Sequence, residues 1–322
     1  MVKVCGKNGV YAEVVQHSCD INNKENELLT VQVKYGLIIH AEFLRHRMLS
    51  RGVKSNRAIP MNIIRKEVLQ DPYVPVWFGA AQKGMVADNE MKYKWLGRQV
   101  WLKSRYLACG VHWLADKLGA HKEWANRLLN PWQFVRETIT ATEWDNLYNL
   151  RLHKDAQKDI QEIVNCIYVA HKNSTPLEIK QGEWHVPYVN RERDQDTGLL
   201  NYLDNDGTKL FYSDALKSSA ARCARSSYDK HDGTKTTFKN DEPLYNMLID
   251  SDPKHASPVE HQGTPLERSS YTKYVNTWGE FFEDGVTHID IYSKLWSGNF
   301  KGWVQHRQLL ADHTCTEYKK ED

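Results

Sequence analysis

Two segments near the start of the chain alternate as half-buried strands do. They are YAEVVQHS (11–18) and LLTVQVKYG (28–36), with the turn-forming run NNKEN (22–26) between them. This pattern commits the chain to a sheet, and the residues beyond it are mostly helical in pattern. Residues 38–51 read as a helix that Gly52 stops, and RAIPMNIIRKEVLQDP reads as a loop entering a short helix. Residues 89–118 are strongly helical, with Trp95, Val100, Leu102, Leu107 and Trp113 among the apolar positions. HKEWANRLLNPW predicts another helix, ended by Pro131. A long helix is then expected to open at Thr140-Ala141-Thr142-Glu143, a capping box with Thr140 as N-cap, and to carry Leu147, Leu150, Ile160 and Ile163 at helical spacing.

Past Lys172 the chain turns polar and turn-rich, and reads as a strand or two with an exposed loop. A helix over 214–228, a loop DKHDGTKTTFKNDEP, a helix LYNMLIDS, the segment HASPVEHQGTP and a final helix SGNFKGWVQHRQLLADH come next. The expected fold class is α+β: a mixed or antiparallel sheet flanked by long helices. Its parts are 1–172, a turn-rich connection 173–210, and a second half 211–322 packing into the same domain. The last segment, VQHRQLL, echoes the earlier FLRHRMLS, which suggests a partial internal duplication.

The 322 residues allow one large domain or two ordinary ones. Forty-three Lys and Arg against 41 Asp and Glu leave a net charge of +2, too balanced for a chain built to coat nucleic acid. The six cysteines stand singly, with no CxxC pair, which argues against a zinc site and against a disulfide framework. No signal peptide and no apolar run of membrane-spanning length is visible, so a reduced cytoplasmic protein is expected.

Against this balance the basic run in LRHRMLSRGVKSNRAIP (44–60) is a local feature: Arg45, His46, Arg47, Arg51, Lys54 and Arg57. On a helix Arg45 and Arg47 would diverge by about 200°, so they would serve two ligands or leave one as surface charge. A solvated basic face is the plain alternative. Ser55 and Arg57, just past the helix stop, make a plausible phosphate grip. Asn146 and Arg151 share the long helix with apolar residues, and a buried arginine there needs an anionic or carbonyl partner, in the simplest case an internal ion pair. The helix start at Thr140, Ala141 and Thr142 would offer free N–H groups to a phosphate, with Arg127 and Arg136 in the preceding segment. Ser227, His255 and His261 could bind polar ligand atoms, or be structural. There is no GxGxxG, GxxxxGK[ST], HExxH or Ser-His-Asp arrangement. Anion-binding groups without a protein nucleophile or metal point to a cofactor that carries the chemistry.

Together these segments resemble the flavin-dependent thymidylate synthases. The family signature Arg-His-Arg, seven residues, Ser matches Arg45-His46-Arg47, MLSRGVK and Ser55, with Arg57 at a further family arginine. NLRLHKDAQKDI matches the helix bearing the pyrimidine-activating arginine, here Arg151, with Asn146 five residues earlier. ANRLLNP resembles the segment with another substrate arginine, here Arg127. ARSSY (224–228) and SPVEH (257–261) resemble two more family segments, which carry Ser227 and His261. In most members those two precede Arg-His-Arg; here they come after it, so the order looks permuted, similar to long bacteriophage versions. Gly52-Val53 stand where the family has Asn-Glu, and Glu42 where it has Gln.

The resemblance implies reductive methylation of dUMP to dTMP with methylenetetrahydrofolate, FAD and NADPH. Arg151 would be catalytic, stabilising charge on the pyrimidine. Arg45, Ser55, Arg57, Arg127 and Arg151 would hold the nucleotide. Arg45, His46, Arg47, Thr140, Ala141, Thr142, Asn146, Ser227 and His261 would hold FAD, and no metal is expected. The site would lie between subunits of a tetramer or dimer, with no membrane or nucleic-acid partner. Two rival readings are a sister flavin enzyme making a different modified pyrimidine nucleotide, such as a hydroxymethylated one, and a non-catalytic nucleotide- or nucleic-acid-binding homologue.

Overall fold

The computed structural model describes residues 2–53, 56–84, 87–226, 236–266 and 285–318. The alternating N-terminal segments form β1 (Lys3–Cys5), β2 (Tyr11–Asp20) and β3 (Asn23–Gly36), paired antiparallel in sequence. β4 (Ser50–Val53) and β5 (Phe134–Ala141) complete the order β1-β2-β3-β5-β4. β6 (Leu177–Ile179) pairs with β2 in parallel, so the sheet is mixed. The first-half helices are α1 (His40–Phe43), α2 (Met61–Gln70), α3 (Lys94–Lys117), α4 (Lys122–Ala125), α5 (Asp145–Arg151) and α6 (Lys158–Lys172). The second half adds a small sheet of β7 (Asn190–Arg193), β8 (Leu200–Leu203) and β9 (Lys209–Leu210), then helices α7 (Tyr212–Ser226) and α8 (Phe238–Ile249). Short strands complete it: β10 (Gly263–Pro265), β11 (His288–Ile289), β12 (Leu295–Ser297), β13 (Phe300–Lys301) and β14 (Trp303–Gln305). The described residues form an α+β fold.

Strand register decides what each sheet face does. Leu29, Val31, Val33 and Tyr35 of β3 and Val135, Ile139 and Ala141 of β5 point to one side and are buried. α6 covers them with Ile160, Ile163, Val164, Ile167 and Ala170, the stripe of an amphipathic helix. Each of the valine, leucine and isoleucine side chains contributes about 1.5–3 kcal/mol on burial. The register of β2 shifts between Val14 and Gln16. Val14 lies opposite Val31, and His17 lies opposite Leu29, so the shift keeps both on the helix face although their numbers differ in parity. The other face carries Ser18, Thr30, Ser50, Thr138 and Thr140, all polar and all buried. A 3-10 turn at Ser257–His261 and the segment 183–189 cover it.

Five expectations are corrected. Residues 38–51 are not one helix: a 3-10 turn at Leu37–Ile39 and the four-residue α1 give way to turns, and Ser50–Val53 pair with β5. The open edge of β5 supplies hydrogen bonds that outweigh helical propensity there. Thr140 caps no helix. It lies inside β5, where the β-branched run Val135, Thr138, Ile139, Thr140 packs well in a pleated strand. The long helix is two, α5 and α6, separated by residues 152–157. The C-terminal segment is the strands β12 to β14 and a 3-10 turn at His306–Leu309 rather than a helix, and Pro131 lies within the 3-10 segment Asn126–Trp132 rather than ending a helix.

Gly36 ends β3 where a Cβ would sit 2.3 Å from the Tyr73 ring. That ring stacks edge-on against Phe134 at 5.4 Å, and its hydroxyl donates to Asp159. Gly36→Ala is expected to destabilise the protein by about 1–3 kcal/mol. It would lower the urea midpoint without changing the slope; an unchanged midpoint would show that Tyr73 has room to move.

Candidate functional site

The Arg-His-Arg segment lies on the turn between α1 and β4. Arg51 determines its shape: its Nη2 donates to the Phe43 carbonyl, with the His46 carbonyl at 3.4 Å, and its guanidinium lies 4.8 Å from the Phe43 ring centroid. From the other side Asn299 Nδ2 donates to the Met48 carbonyl at 3.0 Å. With the turn pinned at both ends, Arg45 and Arg47 are exposed, and no ion pair or hydrogen bond reaches either guanidinium among the described residues. His46 points inward. Arg151 Nε, from the last turn of α5, donates to His46 Nε2 at 2.8 Å. Burial, with Arg151 and Arg51 nearby, lowers the His46 pKa to about 4, so the ring is neutral and accepts that bond. The two motif segments, 105 residues apart, therefore meet directly. Arg151 is anchored through Nε, and its terminal amino groups have no partner among the described residues.

Behind this turn lies a group that the sequence reading did not single out. Tyr35 donates its hydroxyl proton to Glu137 Oε2 at 2.5 Å, and His40 Nδ1 is 2.8 Å from the same hydroxyl. Arg51 Nη1 stands 3.7 Å from Glu137 Oε1. Burial pushes the Glu137 carboxyl up against the opposing pull of Arg51. Among the described residues, Arg51 Nε and Nη1, Glu137 Oε1 and Glu42 Oε2 are buried without a hydrogen-bond partner. Such atoms are costly unless water or a ligand meets them. Arg51 was hidden by the reading of 38–51 as a helix. In a strand, its position opposite Ile139 puts it on the buried helix face with Glu137 and Tyr35.

On the polar face a chain of hydrogen bonds crosses the sheet. Ser18 Oγ is 2.7 Å from His185 Nδ1, and His185 Nε2 is 2.8 Å from Thr30 Oγ1. Thr30 Oγ1 is 2.7 Å from Thr140 Oγ1, which is 2.8 Å from His261 Nδ1. Each hydroxyl has one proton and each neutral ring one N–H, so the chain has two consistent polarities. One leaves His261 Nε2 as a donor, the other as an acceptor. That atom is buried without a partner among the described residues and faces Gly52, where a Cβ would lie 3.2 Å away.

The remaining expected residues are dispersed. Arg57 Nη1 lies 3.9 Å from Glu123 Oε1, and Arg127 Nε donates to the Glu123 carbonyl at 3.2 Å, so both arginines gather at one exposed residue. Thr140 and Ala141 are fully buried in β5, and the phosphate grip expected of them has no helix end to rest on. Thr142 Oγ1 accepts from the Lys301 amide at 2.9 Å, and Glu143 pairs with Lys301, so these two hold β13. Asn146 is exposed on α5, and His255 donates its amide to the Leu248 carbonyl. Ser55 and Ser227 lie outside the described residues. In the echo segment, Gln305 Nε2 reaches Ser50 Oγ at 3.2 Å, His306 Nδ1 is 2.5 Å from Gln262 Oε1, and Arg307 pairs with Glu260. These residues lock the C-terminal strands onto the sheet. An open cleft of about 600 Å³ between Lys180, Glu183, Tyr202 and Tyr212 includes none of the expected site residues.

Burial lowers the His261 pKa from 6.5 to about 4. Between those values the unfolded chain takes up a proton that the folded ring refuses, so stability falls as pH drops through that window. His261→Gln lacks this penalty. The stability advantage of the parent at pH 7 should therefore shrink by up to about 3 kcal/mol by pH 4 in urea titrations. A difference that stays constant with pH would mean that His261 protonates normally in the folded protein.

No protein-family model and no curated protein matches the chain. Among solved structures, the UMP/dUMP methylase PolB from Streptomyces cacaoi, bound with 5-Br dUMP, is similar to 50% of this chain and 89% of its own. The TM-score is 0.41 and the identity 14%, an overlap that decides neither fold nor reaction.

Proposed function

We propose that the chain is a flavin-dependent pyrimidine-nucleotide methylating enzyme that converts dUMP to dTMP with methylenetetrahydrofolate and NADPH. The observation that carries this reading is the 2.8 Å contact from Arg151 Nε to His46 Nε2, which joins the Arg-His-Arg turn to the arginine expected to act on the pyrimidine. Anchored through Nε, Arg151 presents its terminal N–H groups to a planar acceptor edge, as charge stabilisation at a pyrimidine carbonyl requires. Arg57 and Arg127, gathered at Glu123, suit the nucleotide phosphate. When bound, FAD supplies the hydride.

The residues present fit that group. Arg45 and Arg47 offer exposed cationic donors for its phosphates. Asn146 and Ser227 remain further candidates for the flavin. A sister reaction on another pyrimidine is favoured by one observation. Gly52 packs against His261 and Val53 carries no carboxylate, so a replacement must come from elsewhere; Glu42, whose buried Oε2 has no partner among the described residues, is the candidate.

An assembly of subunits suits the surface of α3. Val100, Leu107, Val111, Leu114 and Leu118 repeat at heptad spacing, and Leu107 and Leu118 are 75% and 78% exposed. A water-facing apolar seam of this kind fits the interface between copies that the resemblance implies. Leu107→Glu combined with Leu114→Glu should shift the protein to a smaller species in light scattering. An unchanged mass would remove α3 from the interface.

The function is tested by incubating the protein with FAD, NADPH, methylenetetrahydrofolate and either dUMP or dCMP, then weighing the nucleotide by mass spectrometry. A gain of one methyl on dUMP is expected; a hydroxymethyl product or a preference for dCMP would favour the sister reaction. No saturable FAD binding by the folded protein would sink both. Arg151→Ala should cost about a hundredfold or more in turnover while FAD titration is largely unchanged. Near-parental turnover would reduce Arg151 to a structural anchor for His46.

A further inference from the structure

At the far end of the β2–β3 hairpin, three side chains that the nucleotide reading leaves unused converge. His17 of β2 and Glu27 of β3 share the helix face of the sheet, because Glu27 lies opposite Cys19, two residues from His17. His171, in the last turn of α6, packs onto them. Their ligating atoms all lie within 4.8 Å of one another. His171 Nε2 is 3.0 Å, and His17 Nε2 3.5 Å, from Glu27 Oε2. The ring nitrogens on the other side are both held: His17 Nδ1 is 3.1 Å from Ser174 Oγ, and His171 Nδ1 is 2.9 Å from Tyr148 OH. Each ring is thereby oriented with Nε2 toward the carboxylate, as outer partners orient metal-bound histidines. The His17 side chain is only 3% exposed, and among the described residues its Nε2 has no closer polar partner than Glu27 Oε2. Two imidazole nitrogens and a carboxylate oxygen thus converge at distances that one cation can bridge.

We propose that His17, Glu27 and His171 bind one divalent transition-metal ion, of the zinc type, that clamps the β2–β3 hairpin to α6. Two imidazoles and one carboxylate suit zinc, cobalt or nickel, whereas magnesium and calcium prefer oxygen donors alone. Metal–ligand bonds of about 2.0–2.2 Å place ligands roughly 3–4 Å apart, so a small contraction closes the set. Glu27 has a side chain 35% exposed, which leaves one side open for a water as fourth ligand. Tyr148 also belongs to α5, the helix that ends in Arg151, so the clamp braces the element that carries the candidate catalytic arginine. Neither the nucleotide nor the flavin enters the proposal, so it stands or falls separately from the reading of function.

The test uses the full chain, stripped with a chelator and titrated with zinc by calorimetry and with cobalt by visible absorption. One equivalent is expected to bind. The cobalt spectrum should show the d–d bands of a four- or five-coordinate nitrogen and oxygen site, without a thiolate charge-transfer band. His17→Ala and Glu27→Gln should abolish stoichiometric binding. Tyr148→Phe should weaken it about 10- to 100-fold. Zinc, but not magnesium, should raise the melting temperature of the parent and leave that of His17→Ala unchanged. Three results would overturn the proposal: no stoichiometric binding by the folded parent, binding that survives His17→Ala, or a thiolate band assigning the metal to cysteine. Should His17→Ala fail to fold, X-ray absorption of the zinc-loaded parent decides instead. Two imidazole scatterers support the site, and sulfur scattering or oxygen ligands alone overturn it.

Discussion

A sheet buried on both faces, one apolar and one polar, is the constraint on which the rest depends. Thr30, Thr138, Thr140, Ser18 and Ser50 are within 2% of full burial, and none can be left without hydrogen bonds at tolerable cost. The second half of the chain meets much of that demand. His185 and His261 reach in to Ser18, Thr30 and Thr140, Tyr188 OH lies 2.7 Å from Thr138 Oγ1, and Gln305 meets Ser50. The SPVEH and QHR segments, which as sequence suggested ligand binding and duplication, are largely engaged in this docking. Both histidines are kept neutral by burial, which ties the integrity of the layer to pH.

On the opposite face the same register brings charge to an apolar layer. Tyr35, Glu137 and Arg51 occupy inward positions of three neighbouring strands, and their polar atoms outnumber the partners supplied. Such a mismatch is expensive in a fold and inexpensive at a site, where a ligand completes the set. Arg51 also bends the Arg-His-Arg turn by holding the carbonyls of Phe43 and His46. The buried charge thus positions the exposed arginines and the His46–Arg151 contact. The long reach of α3 and its exposed heptad seam add a second surface that no other described residue covers.

Composition and alternation carried the class of fold and the hairpin. They did not carry the role of residues 38–53. Read locally, LIIHAEFLRHRMLSR has helical propensity. In the fold its last residues pair with β5, because an open strand edge offers hydrogen bonds that only the tertiary structure supplies. The run Thr140–Glu143 misleads for the converse reason: its capping-box spelling is a local signal, and the β-branched character of Thr138, Ile139 and Thr140 is expressed only beside β3 and β4.

The sequence by itself determined that the chain mixes a hairpin-led sheet with helices, and that Arg45, His46, Arg47 and Arg151 are the groups to examine. The tertiary structure decided which of them meet. Arg151 touches His46 because α5 stops at residue 151 and the turn is pinned from behind by Arg51. It also decided where His17 points. The register shift at Val14–Gln16 changes the parity of β2, and one residue of slip moves every later side chain to the opposite face. No pattern in the sequence marks that shift. Through it His17 comes to face Glu27 and His171.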